Sequence, residues 1–225
     1  MEETHTDRYD PTYAKYVDHT VLKCATTRET VQRFCEEAKK YRFASVCVNP
    51  CHVKFVHEQL RGSGVATCCV VGFPLGATTT LVKTIEATEA VKNGADEIDM
   101  VINIGALKDR RLDEVYEDIH SVVAVSHPFA LVKVILETSD LTDEEKVIGC
   151  ELAEKAGADF VKTSSGFGLG GATEADVALM KRAVGGRLRI KASTGINTRA
   201  DADRMIRAGA VRLGTSKGIR IVEGE

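Results

Sequence analysis

The stretch AGADFVKTS (residues 156–164) recurs in altered form as NGADEIDMV (93–101) and AGAVRLGTS (208–216). In each copy a Gly-Ala pair precedes an apolar run that is typical of a buried strand. We expect each glycine to end a helix, because a residue without a Cβ atom adopts the left-handed cap conformation at no steric cost. The repetition therefore predicts a recurring helix–strand unit.

The same alternation of helix and strand continues along the whole chain. Strands are predicted near residues 16–18, 43–48, 65–72, 97–102, 131–136, 160–164, 189–193 and 212–216. They are rich in valine and isoleucine on both faces, as parallel strands covered by helices are. Eight even repeats favour a closed TIM (β/α)8 barrel over an open doubly wound sheet. Only residues 217–225 follow the last strand, so the eighth helix is expected to be short or truncated.

Length and composition indicate one globular domain. The 225 residues are 44% hydrophobic and 28% charged, within the range of a chain with a sizeable core. Two ordinary domains would also fit the length, but no linker-like segment divides the chain. We therefore predict a single barrel domain over residues 1–225, with residues 1–15 as an N-terminal extension that plugs the bottom of the barrel.

Charge and hydropathy exclude several kinds of partner. Thirty Lys and Arg against 33 Asp and Glu give a net charge of −3, so no broad basic field is available for nucleic acid. The first 16 residues, MEETHTDRYDPTYAKY, lack a signal-peptide pattern, and no apolar run reaches the length of a membrane span. We expect a cytoplasmic protein, and a homo-oligomer, because barrel helices often pair across exposed apolar stripes.

Cysteine usage agrees with a reducing compartment. Seven cysteines lie at positions 24, 35, 47, 51, 68, 69 and 150, an odd number without paired spacing. Cys47, Cys51, His52 and His57 together suggest a metal site, but their spacing matches no zinc pattern. We predict neither a metal nor a cofactor.

Lysines occur where the predicted strands should be apolar. Alternation of side chains places Lys162 on the barrel interior if Val161 packs under the helices, and it also directs Lys191, Lys133 and Asp99 inward. The same alternation also directs Phe160, Ser164, Ser193 and Glu137 inward. Pairs such as Lys133 with Glu137, or Lys162 with Asp99, could be simple buried ion pairs. Desolvation offsets most of the benefit of such pairs, so three interior lysines favour a functional site.

Neighbouring lysines have a defined chemistry. An isolated lysine has a pKa of about 10.4 and is almost entirely protonated at neutral pH. A nearby ammonium and an apolar wall both disfavour the charged form, and a neutral lysine attacks carbonyl groups to form a Schiff base. One lysine as nucleophile, a second as its cationic neighbour and a carboxylate for proton transfer would serve carbonyl chemistry.

Glycine-bearing turns lie at the same ends of the strands. They are TSSGFGLGG after the sixth strand, STGIN after the seventh and GTSKG after the eighth, and such loops suit a phosphate as well as ordinary turns. Gly166, Gly168 and Gly171 also spell the G-x-G-x-x-G of dinucleotide folds. The next strand carries Lys191 where that fold requires an acidic residue, so we reject a dinucleotide site.

At these residues the chain resembles the deoxyribose-phosphate aldolase family, class I aldolases of deoxynucleoside breakdown. The similar segments, in order along the chain, are YVDHTVLK, VCVNP, VVGFPLGATTT, EIDMVINIGALK, LVKVILET, FVKTSSGFGLGGAT, IKASTGI and RLGTSKGIRIV. The resemblance implies reversible cleavage of 2-deoxyribose 5-phosphate to acetaldehyde and glyceraldehyde 3-phosphate, without a metal. A Schiff-base aldolase for another sugar phosphate, or a barrel that binds a sugar phosphate without turnover, remain as alternatives.

The resemblance also implies roles for individual residues. Lys162 would form the Schiff base, Lys191 would lower the pKa of Lys162 and assist proton transfer, and Asp99 would act through water as general acid and base. Residues matching the substrate chamber are Asp18, Thr20 and Cys47, and those matching the phosphate loops are Gly166, Gly195, Gly214 and Ser216. Three positions depart from the family pattern: Thr194 replaces a usual glycine, Asn197 a common arginine, and Lys217 a small residue.

Overall fold

Eight parallel strands form a closed barrel in the computed structural model, which describes residues 9–225. The strands are β1 (Val17–Thr20), β2 (Ser45–Val48), β3 (Ala66–Val71), β4 (Glu97–Val101), β5 (Leu131–Ile135), β6 (Phe160–Lys162), β7 (Arg189–Ser193) and β8 (Arg212–Thr215). Each strand pairs with the next along the chain, and β8 pairs with β1 to close the ring. The TIM-barrel prediction is therefore confirmed.

Helices surround the barrel between successive strands. They are α1 (Pro11–Ala14), α2 (Arg28–Tyr41), α3 (Val53–Leu60), α4 (Thr80–Lys92), α5 (Ile104–Lys108), α6 (Leu112–Ser126), α7 (Asp143–Lys155), α8 (Glu174–Val184), α9 (Arg199–Ala208) and α10 (Gly218–Glu223). The eighth helix of the repeat, α10, has six residues and is short, as predicted. Within the described part of the chain, no helix is both long and apolar enough to cross a membrane.

The repeated Gly-Ala pairs have the predicted role. Gly94, Gly157 and Gly209 follow the ends of α4, α7 and α9 with positive φ angles of 97°, 86° and 124°. A residue with a Cβ atom would be strained there. Threonine side chains cap the N-termini of the helices that follow the loops after β6 and β7: Thr173 caps α8, and Thr198 caps α9. These caps set where the loops after β6 and β7 end.

Strand alternation divides the buried residues into two groups. Ile98, Val134 and Val161 point outward and belong to the main apolar core between strands and helices. The residues that alternate with them carry charged groups into the barrel. The interior of the ring therefore holds ionised side chains shielded by an apolar outer layer.

Part of the N-terminal extension can be described. Residues 1–8 lie outside the described residues. From residue 9 onward the chain packs beside the last two helices: the amide of Asp10 donates to the carbonyl of Val222 at 2.7 Å, and the hydroxyl of Tyr13 hydrogen-bonds to Asp203. This portion lies in the outer layer, next to the short α10.

Candidate active site

A cavity of about 470 Å³ opens at the carboxyl ends of the strands. Its walls are the loops that follow β1, β6, β7 and β8, and Lys162 lies among its lining residues. In barrels of this type, this end of the strands is where sites are built. The cavity therefore gives access from outside to a lysine that is otherwise buried.

Lys162 belongs to a buried charge cluster centred on Asp99. The ammonium groups of Lys162 and Lys191 contact the same carboxylate oxygen, Oδ2, at 2.8 and 2.7 Å, and Lys133 contacts Oδ1 at 2.7 Å. Asp99, Lys133 and Lys191 have no exposed surface, and Lys162 has 2%. The inward orientation predicted from strand alternation is confirmed, and the two key amines lie within two hydrogen-bond lengths of each other.

A second tier of charges supports this cluster from below. The guanidinium of Arg212 bonds to Glu97 at 2.8 and 2.9 Å and to Asp18 through Nε at 2.9 Å. Asp18 also pairs with Lys191 at 2.5 Å, and Glu97 with Lys133 at 2.6 Å. Lys133 and Lys191 therefore each have a second carboxylate partner, whereas Lys162 contacts Asp99 alone.

The cluster sets the protonation of its members. Burial by itself would raise the pKa of Asp99, but the surrounding lysines outweigh burial and hold that pKa well below its usual range. Burial likewise opposes the charge on Lys191, yet the carboxylates of Asp18 and Asp99 prevail and raise its pKa. Asp18 has a lowered pKa, because Lys191 and Arg212 overcome the effect of its burial. Lys191 is therefore an ammonium and both aspartates are carboxylates at neutral pH.

Two cysteines complete the interior beside Asp99. The thiol of Cys68 donates to Asp99 Oδ1 at 3.3 Å. The Sγ atoms of Cys68 and Cys47 and a carboxylate oxygen of Asp99 all lie within 4.8 Å of one another. Three such groups could in principle bind a cation. Both oxygens of Asp99 already accept bonds from ammonium groups, and burial raises the pKa of the Cys68 thiol well above its usual value. A hydrogen bond with Cys68 lowers the pKa of the Cys47 thiol, but one thiol beside a protonated Cys68 and an occupied Asp99 does not suit a divalent metal, which needs several deprotonated ligands.

The other predicted site residues fall into two positions. Thr20, Gly166, Gly195, Gly214 and Ser216 line the cavity. Asp18 and Cys47 are fully buried in the barrel interior and are not among the lining residues. The first group can therefore contact a ligand directly, whereas Asp18 can act only through Lys191 and Arg212.

The three positions that depart from the family pattern also differ in whether they line the cavity. Thr194 and Asn197 line the cavity, whereas Lys217 is exposed and does not. Thr194 has a φ of 73°, a left-handed conformation that is unusual for a β-branched residue. Its hydroxyl would lie 3.0 Å from a Cβ atom added at Gly166, so the two loops approach closely at this point.

One inward prediction is wrong. Glu137 lies beyond the end of β5 in a left-handed conformation, with a φ of 57°, so strand alternation does not apply to it. Its carboxylate accepts bonds from the amide of Ser165, at 3.2 and 3.3 Å, and from the Ser165 hydroxyl. The considered pair of Lys133 with Glu137 does not form. Glu137 instead holds the loop after β6 that carries Gly166.

Sequence reasoning missed the roles of Glu97 and Arg212. Both occupy inward positions, two residues before Asp99 and Gly214 respectively, so strand alternation could have identified them. It also missed Lys23, an exposed residue of the loop after β1 that lines the cavity. Nothing in the sequence pattern alone places that loop beside the last two strands.

Similar proteins share both the sequence and the fold. Deoxyribose-phosphate aldolase of Carboxydothermus hydrogenoformans is 57% identical over 214 residues, covering 94% of each chain. That of Listeria monocytogenes is 56% identical over 214 residues, 95% of this chain and 96% of its own. The solved structure of the tetrameric deoxyribose phosphate aldolase from Aeropyrum pernix has a TM-score of 0.89 at 31% identity, over 96% of this chain and 93% of that one.

The family model agrees with these relatives. Residues 12–221 match the model of the DeoC/LacD family aldolases. That range contains all eight strands, the charge cluster and every loop that lines the cavity. The chain belongs to the DeoC/LacD family of aldolases.

Proposed function

We propose that this protein is a class I aldolase that reversibly cleaves 2-deoxy-D-ribose 5-phosphate into acetaldehyde and D-glyceraldehyde 3-phosphate through a Schiff base on Lys162. One observation carries the proposal: Lys162 faces the cavity and also shares one oxygen of Asp99 with the ammonium of Lys191. A lysine so placed can meet a carbonyl compound from the cavity while Asp99 and Lys191 lie beside it for proton transfer. The name and activity of the relatives support this assignment.

The charges of the barrel interior are matched without Lys162. Three carboxylates, those of Asp18, Glu97 and Asp99, face three cations, namely Lys133, Lys191 and Arg212. Lys162 contacts only Asp99 among these carboxylates, and it shares Asp99 with Lys133 and Lys191. Because it is the lysine of the cluster that also lines the cavity, its amine is the one placed to add to a carbonyl carbon.

The reaction follows from this arrangement. The amine of Lys162 adds to C1 of the open-chain sugar, and loss of water gives an iminium ion. The C3 hydroxyl then loses its proton as the C2–C3 bond breaks, which releases glyceraldehyde 3-phosphate and leaves the two-carbon enamine on Lys162. Protonation of C2 and addition of water release acetaldehyde and restore the amine. The iminium acts as the electron sink for the C–C bond.

Asp99 and Lys191 are the proposed proton carriers. Asp99 is a carboxylate in contact with both amines, so it can take a proton from a bound water and return it. Lys191 is held as an ammonium by Asp18 and Asp99, and it contacts the same Asp99 oxygen as Lys162. Asp18 positions Lys191 and does not meet the substrate.

The loops at the rim are the proposed phosphate site. Gly166, Gly195 and Gly214 can present backbone amides, and Ser216 a hydroxyl, to the phosphate oxygens. Thr20, at the end of β1 and also among the lining residues, would contact the sugar. No metal or other cofactor enters this scheme.

Trapping with borohydride tests the Schiff base directly. Borohydride added with acetaldehyde should reduce the imine and leave a two-carbon adduct on Lys162, which peptide mapping would locate. A Lys162→Arg variant keeps a long basic side chain but cannot form the imine, so it should show neither adduct nor turnover. An adduct on Lys133 or Lys191, or normal cleavage by Lys162→Arg, would refute the assignment.

A substrate panel tests the sugar. Acetaldehyde should be released from 2-deoxyribose 5-phosphate and not from phosphorylated sugars that carry a hydroxyl at C2. Preferred cleavage of another sugar phosphate would keep the Schiff base but replace the substrate.

The proposed setting is a single-domain enzyme in the cytoplasm, active as a homo-oligomer. The unpaired cysteine pattern supports the compartment. The tetramer described for the Aeropyrum pernix aldolase supports self-association. Size-exclusion chromatography with light scattering would determine the number of subunits.

A further inference from the structure

We propose that Lys23 is the cation that recognises the phosphate of the substrate and so determines the preference for a phosphorylated sugar. The inference rests on the proposed function, because it concerns the same cavity. Lys23 lies in the loop between β1 and α2, on a different element from the glycine loops assigned to phosphate above.

The charges around the cavity support this role. Two charged side chains line it, those of Lys23 and Lys162, and within residues 9–225 no carboxylate is among the lining residues. Lys162 lies at the buried end, where it would be bound covalently to C1 of the sugar. Lys23 is exposed and therefore lies at the open end. A ligand whose reactive carbon is at Lys162 and whose other end is anionic would match this distribution of charge.

Lys23 has no competing partner in the described part of the chain. None of the ion pairs formed among residues 9–225 includes its ammonium group. Most exposed lysines near a carboxylate lose part of their attraction for a ligand to that neighbour. With no carboxylate partner among residues 9–225, the ammonium of Lys23 can meet a phosphate, which carries a charge of about −1.5 to −2 at neutral pH.

Local hydrogen bonds hold the backbone of Lys23 in place. Its carbonyl accepts bonds from the amide and the hydroxyl of Thr26, at 3.0 and 2.6 Å. The carbonyl of the preceding Leu22 accepts a bond from the Asn49 side chain at 3.2 Å. The backbone carbonyls of Leu22 and Lys23 are therefore both anchored, so only the side chain of Lys23 needs ordering to meet a ligand in the cavity.

The glycine loops leave this charge requirement unmet. Gly166, Gly195, Gly214 and Ser216 offer neutral donors, and Lys217, the charged residue of the loop after β8, does not line the cavity. A phosphate bound by neutral donors alone would keep most of its charge. Neutral donors can bond to the phosphate oxygens but bring no countercharge, whereas the ammonium of Lys23 adds a Coulombic attraction to the phosphate, so Lys23 should contribute to the discrimination.

Steady-state kinetics with two substrates test the inference. Lys23→Ala should raise KM for 2-deoxyribose 5-phosphate about tenfold with little change in kcat, and should leave kcat/KM for unphosphorylated 2-deoxyribose unchanged. Lys23→Arg should restore most of the lost affinity. Lys217→Ala is the matched control, because it removes an exposed lysine from a neighbouring loop without touching the cavity. It should behave like the parent with both substrates.

Three kinetic outcomes would overturn the role of Lys23 in phosphate recognition. These are an unchanged KM in Lys23→Ala, an equal loss of kcat/KM with both substrates, or a loss of kcat/KM that appears in Lys217→Ala instead. Increasing ionic strength should raise KM of the parent more than that of Lys23→Ala, because salt screens an exposed charge. Equal salt dependence in the two proteins would also contradict the role.

Binding in the absence of turnover separates this inference from the proposed function. Calorimetric titration of 2-deoxyribose 5-phosphate into Lys162→Ala, with and without Lys23→Ala, measures affinity when no Schiff base can form. An approximately tenfold weaker Kd in the double variant would support Lys23 even if the parent cleaves a different sugar phosphate, and an equal Kd would refute it.

Discussion

Replacing Asp99 by asparagine isolates the charge at the centre of the barrel. Asparagine has nearly the same shape, but it removes the negative charge that faces Lys133, Lys162 and Lys191 at 2.7, 2.8 and 2.7 Å. Lys133 and Lys191 keep a second carboxylate, Glu97 and Asp18, at 2.6 and 2.5 Å. Lys133, Lys191 and Arg212 then face only two carboxylates, those of Asp18 and Glu97. The interior is then left with one uncompensated cation.

The expected loss of stability follows from this one uncompensated buried cation. Removing one partner of a buried ion pair typically costs about 3–5 kcal/mol, because the other charge stays buried without compensation. For a domain of this size, each kcal/mol corresponds to a shift in Tm of roughly 2–4 °C. We therefore expect the Tm of Asp99→Asn to fall by about 6–20 °C at pH 7. Turnover should fall by about 10²- to 10⁴-fold, because the variant also loses the proposed proton carrier.

A second buried carboxylate supplies the control. Asp118 on α6 pairs with the fully buried Lys83 on α4 at 2.5 Å, in the helix layer and away from the cavity. Asp118→Asn should lower the Tm by a similar amount and leave kcat within about twofold of the parent. Differential scanning calorimetry and a coupled assay for acetaldehyde measure the two quantities. A Tm for Asp99→Asn within about 2 °C of the parent would show that the three lysine contacts add no stability, and a matching loss of turnover in Asp118→Asn would show that the activity loss reflects stability alone.

Three further predictions concern pH and the loops. Because the pKa values of Asp18 and Asp99 are lowered, their carboxylates stabilise the fold above the unfolded pKa of about 3.9, and this contribution is lost as the pH falls below that value. The urea concentration at the unfolding midpoint should therefore decrease once the pH is below about 4, and it should decrease less steeply in Asp99→Asn. The raised pKa of Lys191 acts in the opposite sense. Its contribution to stability is complete below about pH 10.4 and is lost only above it, so Lys191 should not change the urea midpoint between pH 5 and 9. A midpoint that declines over that range by the same amount in the parent and in Asp99→Asn would come from other groups. Thr194→Gly removes a side chain held at a φ of 73° and should raise the Tm by about 2–4 °C; a lower Tm would show that contacts of the threonine outweigh its strain. Gly171→Ala would place a Cβ atom 2.5 Å from the carbonyl oxygen of Thr194, so it should displace the loop after β7 and lower kcat/KM by roughly tenfold or more, and unchanged kinetics would mean that the loop relaxes freely.

Strand alternation was sufficient to find the centre of the site. Lys162, Lys191 and Asp99 lie on regular strands, where every second side chain points the same way, so their inward orientation follows from the sequence alone. The same rule failed at Glu137, because the strand ends two residues earlier and the chain turns into a left-handed conformation. A period of two is informative only while the backbone remains extended.

The number and order of the helix–strand units were determined by the sequence, since each unit carries its own apolar pattern and its own cap. Tertiary structure alone decided which charges meet: Asp99 accepts from lysines 34, 63 and 92 positions away, and Arg212 joins Asp18 from the other end of the chain. Closure of the barrel also brings the loop that carries Lys23 beside the loops after β7 and β8, because β1 pairs with β8. Local patterns determine elements through short-range sterics and burial, whereas the balance of a buried charge depends on every group within a few ångströms, whatever its place in the chain.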